Sequence, residues 1–97
     1  MNPSRKAQQS KIVALHCKTH IRLEIELSGR LRKNVSEELG VDQAQLSRWE
    51  AENYPATFPI HLLPAWTRYI GPGLLEYLAR ESGYELKPME HLDAAGM

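Results

Sequence analysis

The sequence predicts a small all-α domain of about five helices. Apolar residues recur at three- and four-residue spacing along most of the chain. A Gly-Val-Asp turn at residues 40–42 separates two short helical segments, and no second strand-like run exists to pair with the one ambiguous stretch. At 97 residues and 11.1 kDa there is room for one hydrophobic core. Residues 1–9 are polar and expected to be loose, residues 10–88 to form the domain, and residues 89–97 to be a flexible tail.

From Ser10 to about Leu27 two patterns overlap. Ile12, Leu15, Thr19 and Leu23 recur at helical spacing, with Ile21, Ile25 and Ser28 in a neighbouring row, whereas Ile21, Leu23, Ile25 and Leu27 alternate as a strand would. Helix is favoured because a strand at 21–27 would lack a partner, and Ser28-Gly29 reads as its stop. Arg32 to Leu39 forms the next helix, with Val35 and Leu39 on one face and Gly40 where a left-handed residue is wanted. Asp42 and Gln45 make a capping-box pair for a helix from about Gln43 to Glu52, which buries Leu46 and Trp49. Asn53, Tyr54 and Pro55 end it. Phe58-Pro59 opens a helical stretch holding Leu62, Leu63, Trp66, Tyr69 and Ile70, in which Pro64 either starts a fresh helix or kinks a longer one. After Gly71-Pro72, Leu74, Leu75, Leu78 and Ala79 stripe a last helix closed by Gly83.

Residues 30–52, RLRKNVSEELGVDQAQLSRWEAE, have the form of a helix-turn-helix. Val35, Leu39, Val41, Leu46 and Trp49 supply a shared core, and Ser36 is small enough to face Leu46 across the turn. The second helix then presents Gln43, Ala44, Gln45, Ser47 and Arg48 outward. Glutamine can pair bidentately with adenine and arginine with guanine, and alanine can touch a thymine methyl, so these five are the candidate base contacts. Arg32, Lys33 and Asn34, at the start of the preceding helix, are the candidate phosphate contacts.

The segment GVDQAQLSRWEAE resembles the helix-turn-helix core of CII-type regulators of temperate phages, and more broadly of Cro- and repressor-like domains. The resemblance covers residues 31–52. LLPAWTRYIGPGLLEYLARESGYELKP is similar in pattern to the C-terminal half of another group of phage CII-like regulatory proteins. The resemblance implies a sequence-specific transcription regulator of phage or mobile-element type that binds double-stranded DNA as a homodimer or homotetramer. Candidate self-association residues are Trp66, Tyr69, Ile70, Leu74, Leu75, Tyr77 and Leu78, some of which the monomer core must also use.

Twelve Lys and Arg offset twelve Asp and Glu. That neutrality argues against a generic nucleic-acid-coating protein. The charges are segregated, however: residues 1–33 carry eight basic side chains against two acids, a net +6, and residues 34–97 carry four against ten, a net −6. A basic first third suits phosphates, and an acidic remainder suits a protein partner. The alternative reading is therefore an antirepressor or adaptor that keeps the helix-turn-helix scaffold, uses Glu50, Glu52 and the acidic half to bind another protein, and does not touch DNA. A toxin-antitoxin component would share the same motif.

A single cysteine, Cys17, permits no internal disulfide, no apolar run approaches a membrane span, and the N-terminus does not read as a signal peptide, so the expected location is cytoplasmic. His16, Cys17 and His20 cluster, but His61 and His91 lack supporting cysteines, so no metal or other cofactor is expected. Cys17 has no local activating base, Glu37, Glu38, Glu50 and Glu52 read as a solvated acidic face, and no phosphate-cradling glycine loop is present. No enzymatic activity is expected.

Overall fold

A computed structural model describes residues 5–89 of the chain; residues 1–4 of the expected loose N-terminus and 90–97 of the expected tail lie outside the described residues. The described part is all-α: α1 (Arg5–Ser28), α2 (Arg32–Leu39), α3 (Gln43–Glu50), α4 (Leu63–Tyr69) and α5 (Gly73–Glu81), with a 3-10 turn at Ile60–Leu62 leading into α4. No helix among the described residues is long and apolar enough to cross a membrane.

The ambiguous first segment is helical, and its burial shows why. A strand would place Ile21, Leu23, Ile25 and Leu27 on one face. In α1 the four split: Ile21 and Ile25 are fully buried, while Leu23 and Leu27 are 41% and 86% exposed. The helix starts at Arg5, five residues before the expected Ser10, because Arg, Ala and Gln propagate an existing helix readily even where they pack against little. At the other end Ser28 Oγ donates to the Ile25 carbonyl at 2.7 Å, and Gly29 turns the chain at φ +72°.

α1 spans the domain and packs on α3 and α5, while α2 packs on α3 and α4. Ile21, Ile25, Val35, Leu39, Leu46, Trp49, Leu63, Trp66 and Leu74 form the core, with Trp66 fully enclosed. An aromatic chain ties α3 to α4: Phe58 meets the Trp49 ring edge-on at 5.3 Å and the Trp66 ring at 5.4 Å. Pro64 stands in the first turn of α4 and so begins a fresh helix, where its missing N–H costs nothing.

Glu24 joins three elements. Its carboxylate lies 2.7 Å from His20 Nδ1 and accepts from Trp66 Nε1 at 3.3 Å. It also abuts the start of α5 so closely that a Cβ on Gly73 would come within 2.9 Å of Glu24 Oε2. A side chain at 73 would therefore have to displace the Glu24 carboxylate. The residues expected to be available for self-association are largely used inside the fold. Trp66 and Leu74 are core, Tyr69, Ile70, Leu75 and Leu78 pack against it, and the Tyr77 ring sits 4.7 Å from that of His20.

The phase of α1 is directly testable. Ile25→Ala should destabilise the domain by about 2–5 kcal/mol in urea unfolding, and Leu27→Ala by under about 0.5 kcal/mol. Equal losses would contradict the helical phase.

Candidate nucleic-acid interface

The α2–α3 pair is built by local hydrogen bonding. Gly40 adopts φ +72° and ψ +31°, which lets its N–H reach the Glu37 carbonyl at 3.2 Å and the Val41 N–H reach that of Ser36 at 2.9 Å. These two bonds are the Schellman closure of a helix end. Two residues on, Asp42 caps α3: its Oδ1 accepts from Gln45 N–H at 2.8 Å, and Gln45 Oε1 accepts from Asp42 N–H at 3.4 Å. The capping box read from the sequence is therefore formed. Ser36 is buried beneath the turn, and its hydroxyl donates to the Lys33 carbonyl at 2.8 Å.

α3 buries Leu46 and Trp49 and exposes Gln43, Ala44, Gln45, Ser47 and Arg48, all five expected base contacts, on the side away from the core. Gln45 has a second commitment, since its Oε1 is turned back onto the cap. Bidentate adenine reading needs that oxygen and the amide nitrogen together. The side chains facing outward without that constraint are Gln43, Ala44, Ser47 and Arg48.

α3 ends at Glu50, two residues short of the expected Glu52, and Lys18 sits at that end. Its Nζ, carried from α1, donates to the Arg48 carbonyl at 2.8 Å and to that of Ala56. A further helical turn would need the Arg48 carbonyl for the N–H of residue 52. Instead Ala51 goes extended, at φ −82° and ψ +123°. Lys18 is almost fully buried, and burial pulls its pKa below the ordinary lysine value. It therefore belongs to the interior and not to the basic surface of the first third.

Two further cations have internal partners. Arg32, expected at phosphates, holds the Glu50 carboxylate with Nη2 at 2.6 Å and Nε at 3.0 Å, and Glu26 Oε1 lies 3.7 Å away. The hydrogen bonds from Arg32 to the Glu50 carboxylate raise the guanidinium's pKa. The pair ties the first residue of α2 to the last of α3, and it turns Glu50 inward instead of leaving it on an acidic outer face. Arg30 lies over the Tyr69 ring at 4.1 Å. Of the expected phosphate contacts, Lys33 and Asn34 remain exposed at the start of α2.

A shallow cleft beside α3 brings in residues that the sequence reading used only as helix terminators. Ala44, Ser47, Arg48, Ala51, Asn53 and Tyr54 line it, and the Arg48 guanidinium sits 5.8 Å from the Tyr54 ring centroid. The available signal was an exposed-type aromatic and an amide directly after a polar helix face.

The other clustered groups have separate uses. His16 Nδ1 lies 3.0 Å from the Tyr77 hydroxyl and His20 faces Glu24, while burial raises the Cys17 thiol's pKa, away from a reactive thiolate. Among the described residues no group of three or more His, Cys, Asp or Glu could hold a metal ion.

Comparison with models of known protein families, with curated proteins and with solved structures finds no match.

Asp42→Ala removes the box and should lower stability by about 1 kcal/mol. Glu50→Gln should cost about 1 kcal/mol, since solvent screens the half-exposed Arg32. Chemical denaturation measures both; a neutral result for Glu50→Gln would show that the pair does not brace α2 against α3.

Proposed function

We propose that the chain is a sequence-specific double-stranded DNA-binding transcription regulator, of the phage or mobile-element type that its resemblance implies. It would act in the cytoplasm as a homodimer or homotetramer. The observation that carries this reading is α3: a capped helix, anchored by Leu46 and Trp49, whose outward face offers Gln43, Ala44, Ser47 and Arg48. Those side chains supply the amide, methyl, hydroxyl and guanidinium groups that major-groove edges accept. Eight residues span about 12 Å, enough for a few base pairs, so specificity calls for two half-sites. α2 would lie across the backbone, with Lys33 and Asn34 towards phosphates. Tyr54 and Arg48, adjacent on the same side, extend the contact surface beyond the helix end.

Selection from random duplexes at fixed salt should return a short motif, repeated as two half-sites if two subunits bind. Affinity for the selected duplex should fall steeply as salt rises. Arg48→Ala should weaken binding by about 1–3 kcal/mol and relax preference at one base pair, leaving the unfolding midpoint unchanged. Failure to enrich any duplex, or binding that ignores salt, would overturn the proposal. A stoichiometric protein partner in place of DNA would favour the adaptor reading.

A further inference from the structure

Among the described residues, ten large apolar side chains are exposed, and four of them (Ile12, Leu15, Leu23 and Leu27) fall on one face of α1. Thr19 lies in the same row, four residues from Leu15 and from Leu23. This row is opposite the face that carries Ile21 and Ile25 into the core, so α1 is apolar on two sides. A helix that lies on the surface of a one-core domain needs only one apolar side. Scattered exposed leucines are ordinary, but a contiguous row marks an interaction surface.

The row is also nearly symmetric about Thr19. Leu15 and Leu23 stand four residues to either side. Ile12 stands seven before and Leu27 eight after, while Lys11 stands eight before and Glu26 seven after. We propose that this face is a homodimer interface, in which α1 packs antiparallel on α1 of a second copy with the two-fold axis passing near Thr19. Antiparallel pairing about Thr19 sets Leu15 against Leu23 of the second copy, and brings the Lys11–Ile12 pair level with Glu26–Leu27, so that Lys11 and Ile12 reach Glu26 and Leu27 diagonally. Parallel pairing would oppose Lys11 to Lys11 and Arg22 to Arg22. A self-complementary patch of this kind is what a two-fold contact requires, and it singles out a second copy over an unrelated partner.

A contact along one helix pair is small, near the lower bound of about 1,200 Å² for specific interfaces, so association should be micromolar and reversible. Two half-sites on one duplex would raise the effective concentration. α3 meets α1 on the flank that carries Lys18, and the two-fold axis keeps that flank on the same side in both copies. Both α3 helices then lie on one side of the paired α1 helices. The usefulness of that arrangement rests on the DNA-binding reading, whereas the dimer itself does not.

Sedimentation equilibrium of the full chain without DNA, up to millimolar concentration, tests the proposal. The expected result is a monomer–dimer equilibrium that Leu23→Glu weakens at least about tenfold, since a carboxylate would be buried unpaired. Lys11→Glu should weaken it less. If Leu23→Glu disturbs the helical circular dichroism, Thr19→Cys in a Cys17→Ser background decides the matter, because it should form an intermolecular disulfide in air. A chain that stays monomeric, a dimer indifferent to Leu23→Glu in a folded protein, or a Thr19→Cys variant that does not cross-link overturns the proposal. A monomer is also the result if residues 90–97 or a different protein cover the row. A dimer that binds no duplex supports the interface and counts against the DNA reading alone.

Discussion

A buried ammonium holds the end of α3. Lys18 reaches from the middle of α1 to the carbonyls of Arg48 and Ala56. It thereby links α1 to the end of α3 and to the segment that follows it. Burying a lysine is costly unless its N–H groups find acceptors, and here two carbonyls accept two of the three. The carbonyl end of a helix is also where a positive charge is most favourable. Phe58, on the segment that Lys18 anchors at Ala56, can then sit between Trp49 and Trp66 and close the core between α3 and α4.

The same end of α3 is braced from the other side by Arg32 on Glu50, and its beginning is fixed by Asp42 and by the Gly40 turn. On the proposed DNA-binding role, α3 must hold its side chains in register with the base edges, because hydrogen-bond geometry tolerates little misplacement. The chain invests charged residues in that rigidity. Arg32 and Lys18 work as braces, and the groups left for phosphates are correspondingly few. This changes the meaning of the basic first third. Its charge does not form one continuous surface: part is buried, part is paired, and part projects along α1.

What could be read from the sequence was local. Residues 32–45 were legible because each device there acts within five residues: a four-residue apolar spacing, a glycine forced to positive φ, and a cap three residues from its partner. The partners of Lys18, Arg32 and Glu50 were not legible because they lie 18 to 38 residues away, and nothing in a local pattern marks a charge as already paired. α1 was ambiguous for a physical reason. A helix apolar on two faces leaves an alternation that looks like a strand, and only the core, by taking Ile21 and Ile25 and refusing Leu23 and Leu27, separates the two. The five outward residues of α3 were read correctly as exposed, but the double duty of Gln45 and the neighbouring Tyr54 needed the fold.

Lys18 acts as an internal brace and not as a phosphate ligand, and Lys18→Met tests this most directly, by unfolding together with the salt dependence of DNA binding. As a brace, its loss should lower stability by about 1–2 kcal/mol, the cost of losing two charge-assisted hydrogen bonds to part-buried carbonyls. Duplex affinity should fall while the slope of log affinity against log salt stays at the wild-type value, since no phosphate contact is lost. Unchanged stability with a slope shallower by about 1 would place Lys18 on the DNA backbone and contradict the account.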